Sequence, residues 1–156
     1  VSSVFLFKFG LNQYGEFDPN QQWTTQPPVL SLTELGLVNN TGWHVVHVLE
    51  SQCGCSRLAR EHADVFSERY QITAQQQSYR SAAELAAANF VLPAVPAVLL
   101  FDDGQLVYAG PYASGPMCST SDSFLTSILA RSVQLPGLWL NGEVKACRCL
   151  VTPSIK

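Results

Sequence analysis

The segment Glu50-Ser51-Gln52-Cys53-Gly54-Cys55-Ser56-Arg57 joins an apolar run, residues 43–49, to a helical pattern over residues 56–70. A strand that ends in a cysteine-bearing turn and opens into a helix sets its first thiol against backbone N–H groups without helical partners and against the positive end of the helix dipole. Both favour thiolate, the form that attacks disulfides and binds soft metals. A second Cys-x-Cys pair, Cys147 and Cys149, stands near the other end of the chain, and Cys118 completes a set of five cysteines.

Five thiols in 156 residues constrain the chemistry more than the rest of the composition does. In an oxidising compartment they read as redox chemistry or disulfides, and in a reducing one metal binding gains weight. With 47% apolar residues the chain can bury one ordinary core. A net charge of −3 without a basic cluster argues against nucleic acid as a partner. Charged residues make up only 13%, against roughly a quarter in typical domains, and glutamine fills polar positions such as Gln75-Gln76-Gln77. The sequence starts at Val1, so we expect that an upstream segment has been removed. Residues 4–9 are too short to span a bilayer; they fit the tail of a trimmed signal or membrane anchor as well as an amphipathic terminal strand or helix.

Three stretches follow from punctuation and periodicity. Residues 1–28 are loop-rich, broken by Gly15, Asp18-Pro19-Asn20 and Pro27-Pro28, and are expected to form an arm on the domain. Residues 29–133 alternate strand and helix signals. Residues 43–49 read as a buried strand, and 56–70 as a helix carrying Leu58, His62, Val65, Phe66 and Arg69 at helical spacing. Residues 71–77 are a weaker strand, and 82–90 a helix capped by Ser81. Residues 97–101 and 106–109 flank the turn Asp102-Asp103-Gly104 as a hairpin, and Ser121 or Asp122 caps a last helix over 123–132. In the remaining stretch, 134–156, Asn141-Gly142 predicts a second hairpin over 138–145.

This order resembles the thioredoxin superfamily over residues 29–133. The resemblance rests on the cysteine turn after the strand, on Val95-Pro96 before strand 97–101 at the position of that fold's cis-proline, and on Asp103-Gly104-Gln105-Leu106-Val107 followed by Gly110. It implies an α/β fold: a three-layer sandwich with a central mixed sheet flanked by helices, here with an N-terminal arm and a C-terminal hairpin extension. It further implies that Cys53, Pro96 and Gly110-Pro111-Tyr112 meet on one surface. There the backbone of Val95 would be free to pair with an extended substrate.

The chain departs from that family at its central motif. Cys-x-Cys followed by Ser56 replaces Cys-x-x-Cys, so Ser56 stands at the place of the usual resolving cysteine. Residues two apart have Cα atoms about 5.5–7 Å apart, which straddles the upper limit for a disulfide. A Cys53–Cys55 bridge would be strained and would act as an oxidant or isomerase. The motif is similar to Cys-x-Cys-Ser variants among bacterial cell-envelope thioredoxin-like proteins of poorly defined role. That likeness implies a periplasmic or cell-envelope location with a membrane tether.

Cys118, in the loop after the last strand of the domain, is a second candidate for the resolving thiol, or a buried free cysteine. Cys147 and Cys149 would point to one face of a strand. They are open to pairing with each other as a structural disulfide, to bridging Cys118, or to facing the first pair as a four-thiolate site. His47, six residues before Cys53, falls where thioredoxins keep a buried carboxylate, and a neutral imidazole there could serve as a base. Two functional classes follow. The first is a thiol-disulfide oxidoreductase or isomerase acting on a protein thiol, disulfide or redox partner, with Cys53 as nucleophile, Cys55 or Cys118 resolving, and no cofactor. The second is a copper or zinc binding or delivery protein using Cys53, Cys55, Cys147 and Cys149.

Overall fold

A computed structural model describes residues 14–25, 35–37, 42–50, 52–113, 125–130 and 138–151. The elements among them, in chain order, begin with β1 (Tyr14–Glu16), α1 (Gln22–Thr25), β2 (Trp43–Val48), α2 (Gly54–Ala59) and α3 (Glu61–Tyr70). β3 (Gln77–Arg80), α4 (Ala82–Ala87), β4 (Ala94–Val95), β5 (Ala97–Asp102) and β6 (Gln105–Gly110) come next. α5 (Leu125–Leu129), β7 (Trp139–Leu140), β8 (Lys145–Cys147) and β9 (Cys149–Leu150) follow. This is a mixed α/β fold around a central five-stranded sheet of order β3-β2-β5-β6-β7. β2 runs parallel to β3 and antiparallel to β5; β6 is antiparallel to β5 and parallel to β7.

The continuous apolar runs of β2 and β5 are what a strand covered on both faces requires. Alternation sends Val46, Val48, Leu99 and Phe101 into one core, with Leu85, Phe90, Phe17 and Trp23. It sends Val45, Val98, Leu100 and Tyr108 into the other, with Ala59, Phe66, Tyr112 and Leu125. The β5–β6 hairpin forms as expected: Asp103 and Gly104 both have positive φ, 52° and 87°, the conformation a two-residue turn between twisted strands demands.

Several local expectations change once the chain is folded. The helix expected over 56–70 starts earlier, with Cys53 as the N-cap of α2, and is divided from α3 at Arg60. Gln71, left-handed at φ 56°, ends α3. The strand expected over 71–77 is mostly a turn, in which Thr73 and Gln76 exchange hydrogen bonds as a capping box, and β3 begins only at Gln77. This accounts for part of the glutamine run. Gln76 also donates to the Trp43 carbonyl, and Gln77 to Ser67 and the Ile72 carbonyl, so these amides tie β3 to its neighbours. α4 is capped by Ser81 with Glu84 reciprocating, but stops at Ala87, before a left-handed Asn89.

The hairpin expected over 138–145 does not form. β7 joins the large sheet beside β6, whereas β8 crosses to pair antiparallel with β1. Asn141 gives its N–H to the Ala109 carbonyl and its side-chain amide to Tyr108 Oη. Gly142 is needed for close approach, because a Cβ there would lie 2.7 Å from the Cβ of Asp18. The N-terminal stretch contributes more than an arm on the surface: Phe17 is fully buried, and the Asp18 carboxylate accepts the N–H groups of Gln22 and Trp23 at the start of α1. Asp18→Ala should therefore cost about 1–2 kcal/mol in chemical denaturation; an unchanged midpoint would show that these bonds are replaced by water.

Among the described residues no helix is long and apolar enough to cross a membrane. Residues 4–9, the cap candidates Ser121 and Asp122, and Cys118 lie outside the described residues; α5 lies within the helix expected over 123–132.

Candidate functional site

β2 ends at Val48, and the turn that follows is fixed by its own backbone and one hydroxyl. Cys53 N–H donates to the Glu50 carbonyl at 3.0 Å, and Ser56 N–H to the Cys53 carbonyl at 3.0 Å. Buried Ser56 accepts the Glu50 N–H through Oγ at 3.0 Å. The serine at the expected resolving position thus serves as a clasp on the turn. Glu50 in turn accepts the Ala82 N–H at the start of α4, 3.2 Å away.

The two Cys-x-Cys pairs, far apart in sequence, meet here. Cys53 is disulfide-bonded to Cys149, with Cα atoms 6.1 Å apart, and Cys55 to Cys147, with Cα atoms 5.5 Å apart. Both separations lie within the ordinary disulfide range. The pairing is crosswise, so Cys53 and Cys55 are not joined to each other, nor Cys147 to Cys149. The sequence leaves open a Cys147–Cys149 bridge, a bridge to Cys118 and a four-thiolate site; crosswise disulfides between the two pairs are not among these alternatives.

Spacing explains the match. Cys147 and Cys149 flank Arg148, whose side chain leaves in the other direction and donates from Nε to the Glu16 carbonyl of β1 at 2.8 Å. Gly15 lies beneath it, and a Cβ there would sit 2.6 Å from Nη2 and push the end of the arginine aside. Burial lowers the pKa of Arg148.

Val95 precedes a cis bond to Pro96, and the Cys53 Sγ lies 3.8 Å from the Val95 carbonyl oxygen. The backbone edge expected to receive a substrate strand is occupied by β9, with Val95 opposite Cys149 and the Val151 N–H donating to the Pro93 carbonyl at 2.9 Å. A cleft of about 420 Å³ opens beside this pairing, lined by Glu50, Gln52, Cys53, Ser81, Val95 and Cys149 among others. The two bridges differ in access. Cys53 and half-buried Cys149 face the cleft, whereas Cys55 and Cys147 are buried and do not line it.

His47 and the residues after β6 lie elsewhere. His47 sits between Val46 and Val48, which join Cys53 and Cys55 in one core, so its ring points to the opposite face of the sheet. There it stacks on Phe66 and Tyr112 and hydrogen-bonds Tyr112 Oη through Nδ1 and Gln77 Oε1, at 2.7 Å, through Nε2. Because Gln77 Nε2 faces the Ile72 carbonyl, its Oε1 is the atom presented to the ring, and it can only accept. The ring is therefore protonated on Nε2, and neutral Nδ1 accepts from Tyr112. Burial pushes the His47 pKa down to about 4, opposed by the Gln77 bond and reinforced by His62. Gly110, Pro111 and Tyr112 are buried and do not line the cleft. Gly110 backs onto Asn141, and Pro111 accepts from Tyr108 through its carbonyl.

Sequence reasoning did not single out Cys149 as the partner of Cys53. The signal available was the equal spacing of the two Cys-x-Cys pairs, one at the start of α2 and one in β8 and β9, which face each other sulfur to sulfur. Residues 21–151 match the model of a domain of unknown function, DUF6436. No curated protein matches and no solved structure matches.

Proposed function

The chain belongs to the DUF6436 family, whose function is unknown, and from the site itself we propose that it is a thiol-disulfide oxidoreductase whose exchanging bridge is Cys53–Cys149. The observation that carries this reading is the difference in access: one bridge faces an open cleft beside the β4–β9 pairing, and the other is buried and does not line it. A thioredoxin-like fold is the finer reading of the mixed sheet. It is supported by the parallel β2–β3 pair beside the antiparallel β5–β6 hairpin, and by the cysteine turn meeting the Val95-Pro96 loop.

The exchange balances as follows. A substrate thiolate attacks the Sγ of Cys149, the less buried sulfur, forming a mixed disulfide and releasing Cys53 as thiolate. The second substrate thiolate attacks the substrate sulfur of that mixed disulfide and releases Cys149. The substrate leaves as a disulfide, and two electrons and two protons remain on Cys53 and Cys149. Run backwards, the Cys149 thiolate attacks the substrate disulfide, and Cys53 then attacks the Cys149 sulfur of the mixed disulfide, closing the bridge and releasing the reduced substrate. The partner is a protein dithiol or disulfide, and persistent bridges suit an oxidising compartment such as the bacterial periplasm or cell envelope.

The test is exchange between the oxidised chain and a model dithiol peptide. Cys53→Ser should abolish it, and Cys55→Ala/Cys147→Ala should retain it. A fully active Cys53→Ser protein sinks the assignment.

A further inference from the structure

Reduction of the two bridges would leave four thiols inside one small volume. The sulfurs of Cys53, Cys55 and Cys149 already lie within 4.8 Å of one another, and the fourth, Cys147, is bonded to Cys55. A tetrahedral Zn(II) site with metal–sulfur bonds of about 2.3 Å needs sulfurs about 3.8 Å apart. Opening each bridge from a bond length near 2.05 Å to that spacing takes less than about 1 Å of movement per sulfur within each bonded pair, and the Cys147 sulfur, which lies outside the group of three, has to turn further inward to complete the set. Such a shift lies within reach of side-chain rotation, with the Cα atoms of the bonded pairs held at 6.1 and 5.5 Å.

We infer that the reduced chain binds one Zn(II) ion through Cys53, Cys55, Cys147 and Cys149, so that the cluster alternates between two disulfides and a closed metal site. The conversion balances. Four electrons and four protons from an external thiol reductant turn two disulfides into four thiols. Binding one Zn(II) then displaces up to four protons and leaves a tetrathiolate complex of net charge −2.

Zn(II) is favoured over a softer two-coordinate ion because three sulfurs converge and a fourth is bonded to one of them, and four thiolates are a set that tetrahedral zinc takes in structural sites. Three of the four are buried and Cys149 is half-buried, so the complex is shielded from solvent on most sides. The site owes nothing to the exchange reading, because a chemical reductant generates the thiols whether or not a protein substrate does.

The experiment uses the full chain, reduced anaerobically with a non-chelating phosphine, and titrates Zn(II) against a chromophoric chelator, with Co(II) as spectroscopic probe. The expected result is one ion per chain, intense thiolate-to-cobalt charge-transfer absorption, and protection of Cys53, Cys55, Cys147 and Cys149 from alkylation. The oxidised chain should bind none. Failure of the reduced chain to take up a stoichiometric ion, equal uptake by the oxidised chain, or free alkylation of Cys147 and Cys149 in the loaded protein would each overturn the inference. Mapping protection on the unmodified sequence avoids dependence on cysteine variants that fail to fold. Loss of exchange by the oxidised protein is read separately and bears only on the function proposed above.

Discussion

Replacing Cys53, Cys55, Cys147 and Cys149 together with alanine should lower the unfolding free energy by about 5 kcal/mol or more, whereas deleting either bridge alone should cost no more than about 2 kcal/mol. The asymmetry comes from chain entropy. Cys53–Cys149 spans 96 residues and Cys55–Cys147 spans 92, so either bridge alone closes nearly the same long loop. A loop of that length restricts the unfolded chain by about 4.7 kcal/mol. Once it is closed, the second bridge closes only the short segments 53–55 and 147–149, and little entropy is left to remove. As a staple the second bridge is largely redundant, which fits a pair kept for its sulfur chemistry. The measurement is chemical denaturation of the two double-alanine variants and the quadruple variant. Equal losses for one bridge and for both would refute the shared-loop argument and point to native packing as the source of stability.

Acidification from pH 6.5 to pH 4 should remove about 3 kcal/mol of stability through His47 alone. In the unfolded chain its imidazole titrates near 6.5; in the fold burial holds it down to about 4. Below pH 6.5 the unfolded state therefore binds a proton that the folded state refuses, and the equilibrium moves towards unfolding. The contribution is complete above pH 6.5, falls through the window, and levels off below about pH 4. His44, also lowered by burial and by Arg80, acts in the same direction. The physical cost is plain at His47, where protonating Nδ1 would turn the acceptor of the Tyr112 hydroxyl into a second donor. Denaturation midpoints across this range, compared with His47→Gln, provide the check. The variant is less stable at neutral pH but should show a flatter slope, and an identical slope would mean that other groups carry the acid sensitivity.

Legibility in the sequence tracked the range of the interactions involved. The strand 43–49, the Ser81 cap, the Asp103-Gly104 turn and the cysteine turn before a helix were all readable, because each is decided by residues within a few positions of one another. Gln71–Gln76 was misread as strand because the capping box of Thr73 and Gln76 outweighs a weak apolar alternation. Asn141-Gly142 carried a hairpin signal that the fold overrode. The asparagine was worth more bonding β6 and Tyr108, and the glycine more beneath Asp18, than either was in a tight turn.

The cysteines divide along the same line. From sequence alone came the placement of Cys53 at a strand-to-helix turn and two thiol pairs of equal spacing, while the approach of Val95-Pro96 was implied by the family resemblance. Which sulfur met which was decided only in three dimensions, when β9 took the edge of β4 and brought Cys149 to Cys53 across 96 residues. The face chosen by His47 was set by the pleat of β2 against two cores, and no local pattern distinguishes them when both are apolar. Short-range hydrogen bonding and periodicity write themselves into neighbouring residues. Pairing across the chain depends on which strand edges the assembled core leaves free, and that is a property of the whole fold.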